Sequence, residues 1–365
     1  MDKTKIALGL MSGTSIDGID ASLLRSDGEK DIDIIGNLYL KYDSELKNLL
    51  HIFCEKIHSL DDLKINLKEF KSLERKITLK HSEIVFKIIK KFKIKPNIIG
   101  FHGQTVLHNP KKKYSIQMGN GNLLSQLCNI DTIYQFRKND LKNGGEGAPL
   151  TPIYHHNLKK KLKIQKSVLF LNIGGIANYT FSKGNSFCAK DVGPGNCLMD
   201  MYMKINKNKN FDTDGILAAS GKIDNSLINN ILDQEYYNTK EKHSFDVKDF
   251  DLNFVKGLSI PDALANLNYF SAKIIYENVK KDIFDDYIII LCGGGRKNKT
   301  LVSNLKKLFK KNIFEIDNFE IDGDFIESQA FAYLSIRSLY KKNISFPETT
   351  KVKKAVTGGE YIKPI

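Results

Sequence analysis

At 365 residues the chain exceeds what one small core organises, so two domains are the natural expectation. Apolar residues make up 41% and charged residues 27%, ordinary for a soluble globular protein, and no run nears the roughly 18 apolar residues of a membrane span. The net charge of +14 would suit nucleic acid, but only five of the 56 basic residues are Arg, the usual reader of base edges. The Lys are scattered along the chain, so neither a nucleic-acid nor a membrane partner is expected.

The opening "MDKTKIALGLM" is too short an apolar run for a signal peptide, which makes a cytoplasmic placement the expectation. Cys54, Cys128, Cys188, Cys197 and Cys292 form no C-x-x-C pair, and buried thiols are expected rather than a metal site or disulfides.

In chain order, "KIALGLM", "GIDASLLRS" and "DIIGNLYLKYD" read as three strands. Helical spacing follows over about 45–57 and 63–92, then the strand "KPNIIGFHG", a short helix near 122–128 and the strand "DTIYQF". After a Gly-rich segment the order restarts with "SVLFLNIGG", "IANYTFS" and "NSFCAKDVG". A helix opens at "GNCLMDMYMK", another covers about 262–281, and "DYIIILCGGG" is a strand running into a Gly loop. The helix "RKNKTLVSNLKKLFK", the strand "NIFEID" and a helix near 325–340 close the chain. Both halves read β-β-β-α-β-α-β-α, which predicts an α/β protein of two duplicated domains, 1–135 and 136–365, with an interdomain cleft lined by loops at strand ends. The last helix and tail could pack back on the first domain.

No P-loop or dinucleotide fingerprint is present. Gly loops after strands stand in their place. In "LMSGTSIDGID" small residues let backbone approach an anion, and Ser12, Thr14 and Ser15 add hydroxyl donors. "LNIGGIANYT" places Asn172, Gly174, Gly175 and Asn178 at the equivalent turn of the second half, so the pair could grip two ends of a polyphosphate. In "KDVGPGNCLMD", Asp191 stands at a strand end beside the turn Gly193-Pro194-Gly195, with Asn196 placed to cap the next helix. Such a carboxylate suits a general base or a metal held through water. "LCGGGRKN" (Gly293, Gly294, Gly295, Asn298) suits packing against a flat ligand such as a nucleotide. The polar loop "QFRKNDLKNGGEGAPLTP" carries Arg137, Asp140 and Glu146. "GFHGQTVLHNP" offers His102, Gln104 and Thr105 for a polyhydroxy substrate, its two His lying too far apart for a metal pair. Glu327 in "IESQAFAYL" falls in a first helical turn, where the dipole alone would favour it.

These motifs together, with "DGILAASGK" and in this order over nearly the whole chain, resemble the anhydro-N-acetylmuramic acid kinase family, within the acetate/sugar kinase–Hsp70–actin superfamily. The resemblance implies two actin-like (ribonuclease H-like) domains, ATP and Mg²⁺ as cofactors, and a homodimer. It also implies phosphorylation of 1,6-anhydro-N-acetylmuramic acid at O6 with opening of the anhydro ring, in cell-wall sugar recycling. Carried over by position, Gly13, Thr14, Ser15, Ile16, Asp17, Gly18, Ile19 and Asp20 form the ATP-phosphate loop. Asn172, Gly174, Gly175, Gly293, Gly294, Gly295 and Asn298 complete the nucleotide contacts. Asp191 is the catalytic carboxylate, with Glu327 at a second acidic position that could orient water or sugar. His102, Gln104, Thr105, Arg137, Asp140, Gly193, Pro194, Gly195 and Asn196 are the substrate candidates, Arg137 facing the lactyl carboxylate. Asp17, Asp20 and Asp191 are the candidates for Mg²⁺ through water.

Three positions depart from the family pattern. Gln135 replaces an Asp, Glu146 replaces a Gln and adds negative charge near an anionic substrate, and "ISFPETTKVKKAVTGGEYIKP" replaces the usual terminal run. The alternatives are a kinase of another sugar or carboxylate on the same fold, and a non-catalytic sugar or nucleotide sensor.

Overall fold

The computed structural model describes residues 4–13, 15–232 and 250–365. Its backbone forms two compact units, Met1–Lys163 with Phe325–Ile365, and Ile164–Asp324.

The first unit opens with the antiparallel meander β1 (Lys5–Ser12), β2 (Gly18–Ser26) and β3 (Ile32–Lys41). Helices α1 (Ser44–Lys56), α2 (Leu60–Ile65) and α3 (Leu67–Phe92) follow, then β4 (Ile98–Asn109), β5 (Tyr114–Met118), α4 (Gly121–Cys128) and β6 (Asp131–Tyr134). Short α5 (Lys138–Lys142) and α6 (Pro152–Lys161) complete the first stretch. In the second unit β7 (Ser167–Ile173), β8 (Ile176–Lys183) and β9 (Ser186–Pro194) repeat the meander. They lead into α7 (Cys197–Lys207), α8 (Ile216–Ser220), α9 (Asn225–Leu232), α10 (Ile260–Asp282), β10 (Tyr287–Cys292), α11 (Lys299–Phe309) and β11 (Ile313–Glu315). The chain then returns to the first unit as α12 (Ile326–Leu339), α13 (Pro347–Thr350) and β12 (Glu360–Ile362).

The strand orders show the duplication that the element order predicts. The first sheet runs β3-β2-β1-β4-β6, extended by β12, with β5 pairing β4. The second runs β9-β8-β7-β10-β11. In each, the first strand pairs antiparallel with the second and parallel with the fourth. The two mixed sheets thus carry one topology twice, which makes the chain a two-domain α/β protein.

Packing follows from the apolar pattern. Leu73, Ile77, Ile84, Val85 and Ile88 give α3 one buried face, and they meet Leu8, Leu10, Ile99 and Phe101 of the sheet. The second unit has its own core, with Leu169, Leu171, Ile289 and Leu291 of the sheet against Leu264, Leu267 and Ile275 of α10. Helix α12 lies on β1, β2 and β4 at very short range. Gly9 and Gly100 permit it: a methyl on either would overlap backbone of Ser328 or Phe331. Residues 136–163, which the sequence places in the second domain, lie in the first unit. There the Tyr154 hydroxyl donates to Gln329 Oε1 at 2.8 Å and Asn157 Nδ2 to the Tyr333 hydroxyl at 2.9 Å.

None of the five cysteines is in a disulfide, and burial pushes the Cys128 and Cys292 thiols up to about 12, so neither is reactive near neutrality. No described helix is long and apolar enough to cross a membrane.

Candidate active site

The β1–β2 loop of the first unit is a tight connection in which the Ile16 N–H donates to Gly13 O at 3.1 Å and Ser15 Oγ donates to Asp17 Oδ1 at 2.8 Å. Thr14 lies outside the described residues. Gly13 is open, the nearest neighbour of an added methyl being Ser15 Oγ at 3.8 Å, whereas Gly18 has Tyr39 and Leu40 pressed against it. Ile16 and Ile19 turn their side chains into the core, so whatever they offer a ligand is backbone. Ser12 differs from expectation: it is buried, and its hydroxyl meets Tyr42 and His81 instead of the loop's open side. Burial, then the charges of Asp17 and Asp20, raise the Tyr39 hydroxyl to about 12, so both carboxylates lie on the Tyr39 side of the loop.

A second cluster forms around His102 on β4. Its Nδ1 faces Gly103 O at 2.8 Å and therefore carries the proton. Its Nε2 accepts from Arg137 Nε at 3.2 Å and from an Arg137 terminal nitrogen at 2.9 Å. Burial and the adjacent guanidinium hold His102 well below its usual range, hence neutral. Arg137 also donates to Gly147 O at 2.7 Å. Burial lowers it to about 10, opposed by the charges of Glu327 and Asp140, and it stays cationic at neutral pH. Arg137 and His102 are thereby brought together, with Glu327 near enough for its charge to act on the guanidinium. Gln104 is fully buried on the same strand, with its Oε1 unpartnered and its Nε2 at 3.4 Å from Thr105 O; Thr105 accepts from Gln117 at 3.3 Å.

Asp140 has a different place from its expected one beside a substrate. It is fully buried, accepting the Gly147 N–H at 2.6 Å and the Thr350 hydroxyl at 2.6 Å, and it shapes the Gly145–Gly147 turn. Glu146 pairs with Lys351 at 2.8 Å. The added negative charge and the divergent terminal run are therefore complementary.

In the second unit three Gly loops converge on Ile173. The N–H groups of Gly195 and Asn196 donate to Gly175 O and Gly174 O, each at 2.8 Å, locking the β7–β8 turn to the start of α7. Gly293, in the left-handed region at φ 77°, lies against Ile173 O, and Gly295 against the Ile173 side chain. Gly294 has nothing within 4 Å and faces open space. Asn196 occupies the cap position of α7, but its side chain makes no capping bond and its Nδ2 lies by Gly295. Asn298 does cap, its Oδ1 accepting the Leu301 N–H at 3.0 Å. Asn172 Oδ1 lies beside Gly293, and Pro194 ends β9. Asp191 is half-buried on β9 opposite Asn178, next to a bulge at Ala177/Asn178. Arg296 is a clasp: it holds Asp317 through two bonds, 2.6 and 3.0 Å, and Asp324 at 2.7 Å.

Sequence reasoning passed over three groups. Tyr42 and His81 lie 30 and 69 residues from Ser12, beyond any local pattern. Asp200, in the first turn of α7, is pushed up to about 7 by burial, and a lone Asp after a Gly turn carries no signal of that. Among the described residues no group of three or more His, Cys, Asp or Glu could hold a metal by itself.

The model of the family described as anhydro-N-acetylmuramic acid kinase matches residues 5–363. The chain belongs to the anhydro-N-acetylmuramic acid kinase family. It is 48% identical to the anhydro-N-acetylmuramic acid kinase of Pelagibacter ubique over 373 aligned positions, covering 100% of each chain. It is 34% identical, again over 100% of each, to that of Brucella canis. Among solved structures, component A of (R)-2-hydroxyglutaryl-CoA dehydratase from Acidaminococcus fermentans aligns at 10% identity with a TM-score of 0.47, over 92% of this chain and 100% of that one. Family membership therefore rests on the full-length sequence matches, and the fold on the repeated strand order.

Proposed function

We propose that the chain phosphorylates 1,6-anhydro-N-acetylmuramic acid at O6 with ATP, opening the anhydro ring to give N-acetylmuramic acid 6-phosphate and ADP. The observation that carries this reading is the full-length family match together with a half-buried carboxylate, Asp191, beside the Gly193–Gly195 turn. The substrate is an internal acetal, so water must bond to C1 as the C1–O6 bond breaks. The released O6 then takes the γ-phosphoryl group as ADP leaves. Asp191 accepts the proton of that water, as the base of an inverting glycosidase does.

In this assignment the β1–β2 loop offers backbone N–H groups and Ser15 to the ATP phosphates. The Gly174–Gly175 turn and the Gly293–Gly295 loop, with its open Gly294, bind further parts of the nucleotide. Mg²⁺ fits a site of one or two carboxylates, because it keeps several waters and takes phosphate oxygens; Asp17 and Asp20 would hold it, and it would neutralise charge on the transferred group. Glu327 orients the sugar or the attacking water. Arg137, with two of its edges spent on His102 and Gly147, has donors left for the lactyl carboxylate. A cytoplasmic homodimer completes the proposal, on the family resemblance alone.

Asp191→Asn tests the mechanism. Turnover of the anhydro sugar should fall by at least about 10³-fold, within the range expected for losing a general base plus its charge, while ATP binding by calorimetry is retained. A near-normal rate in this variant would refute the role of Asp191.

A further inference from the structure

We propose that Tyr42 is a positioning residue that closes the β1–β2 loop at both ends and so sets ATP affinity, an inference that rests on the phosphate-loop assignment above. Tyr42 follows directly on β3, with its ring buried in the core of the first unit. Its backbone N–H donates to Asp17 O at 3.0 Å, at the C-terminal end of the loop. Its hydroxyl lies 2.8 Å from Ser12 Oγ, at the N-terminal end. One residue thus spans the loop. Tyr39 adds a second donor, its hydroxyl reaching Asp17 O at 2.9 Å, so both lone pairs of that carbonyl are taken.

Chemistry orders the hydroxyl chain. His81 Nδ1 lies 2.8 Å from Ile77 O, an acceptor only, so Nδ1 carries the proton. Burial keeps the ring neutral, leaving Nε2 as an acceptor for the Ser12 hydroxyl at 3.2 Å. Ser12 Oγ, its proton given to His81, then accepts from the Tyr42 hydroxyl. The direction is fixed from Tyr42 to Ser12 to His81, with every member buried and satisfied. A Phe would fill the same core space. What the hydroxyl adds is a bond to the residue where the loop begins.

The second unit shares one of these bonds: Gly195, directly after β9, donates its N–H to Gly175 O just before β8, as Tyr42 does to Asp17 O. Its β7–β8 turn is held by backbone N–H groups of Gly195 and Asn196. Beyond the shared bond, the second unit adds the Asn196 N–H to Gly174 O, whereas the first adds the Tyr42 hydroxyl to Ser12. A loop that binds phosphates through backbone N–H groups must hold them aligned before the ligand arrives, because ordering them on binding subtracts from affinity.

Tyr42→Phe keeps the ring and removes the hydroxyl. The dissociation constant for a non-hydrolysable ATP analogue, and KM for ATP, should rise about fivefold to tenfold, the effect of one buried hydrogen bond. KM for the sugar should stay near that of the parent, and the melting temperature should fall by only the few degrees that one buried hydrogen bond contributes. Ser12→Ala should give the same split from the other end of the chain. Gly13→Ala is the control for the assignment, since its methyl has room in the free protein but would meet a bound phosphate. If Gly13→Ala weakens nucleotide binding and Tyr42→Phe does not, the clamp is wrong and the phosphate loop stands. If Gly13→Ala has no effect, the loop assignment fails and the clamp with it. Equal losses for both substrates would show Tyr42 to be a core residue only.

Discussion

Single residues carry the departures from the family pattern, and the structure gives one of them a partner. Glu146 stands next to Gly147, whose carbonyl holds Arg137, and its charge is met by Lys351. The Lys351 side chain is 43% exposed and the Glu146 side chain 22%, so the pair is worth about 0.5–1 kcal/mol. Lys351→Met should therefore raise KM for the anionic sugar about twofold to fivefold without changing kcat. Adding Glu146→Gln should restore it. Unchanged kinetics in the single variant would place Glu146 out of reach of the substrate. At this scale the Gly loops and Asp191 were legible as motifs, because strand-end Gly clusters are local patterns. The roles of Asp140 and Arg296 were not. Each is a polar residue in a motif whose partners come from elsewhere in the chain, Thr350 for Asp140 and Asp317 for Arg296, and a motif does not say whether a side chain serves the ligand or the loop.

Elements place these residues, and close approach rather than propensity sets how they pack. Helix α12 can lie on β1 and β4 only because Gly9 and Gly100 have no side chain. Gly100→Ala should cost about 3 kcal/mol in urea denaturation, since the added carbon meets backbone and not a movable side-chain tip. Gly294→Ala, with open space around it, should leave stability within about 0.5 kcal/mol and weaken nucleotide binding if that loop contacts the nucleotide. Arg296→Met should destabilise by about 2 kcal/mol. That is below the ~3–5 kcal/mol for a fully buried orphan charge, because Asp317 and Asp324 are each 39% exposed. The meanders, α1, α3, α10 and α12 were legible from apolar spacing. Helix α6 was not: Pro152 to Lys159 are buried on every side, which erases the amphipathic period that marks a helix. Strand β5 is five residues attached to one side of β4, too short for alternation to stand out.

For the whole molecule, the repeated strand order means that two copies of one sheet carry different loops, and those loops are where the chemistry was assigned. The first unit also buries neutral histidines, with His81 held down to about 4 and His155 to about 3 by burial, and His102 also well below its usual range. Their folded-state pKa values lie below the ~6.5 of the unfolded chain, so between those values the unfolded state binds more protons and stability rises with pH. Acidification from about pH 6.5 toward 4 should therefore destabilise the protein progressively, by at least about 2 kcal/mol at pH 5, measured as a fall in the denaturation midpoint. A flat profile across that window would mean the histidines are not held neutral.

The central claim is that ring opening and phosphoryl transfer are one reaction. It is tested most directly by giving the intact protein ATP with 1,6-anhydro-N-acetylmuramic acid, and separately with ring-opened N-acetylmuramic acid. The anhydro sugar should yield the ring-opened 6-phosphate, heavier by one water and one phosphoryl group, while the open form is turned over far more slowly. Phosphorylation of both at equal rates, or release of a phosphorylated sugar with its anhydro ring intact, would contradict the account.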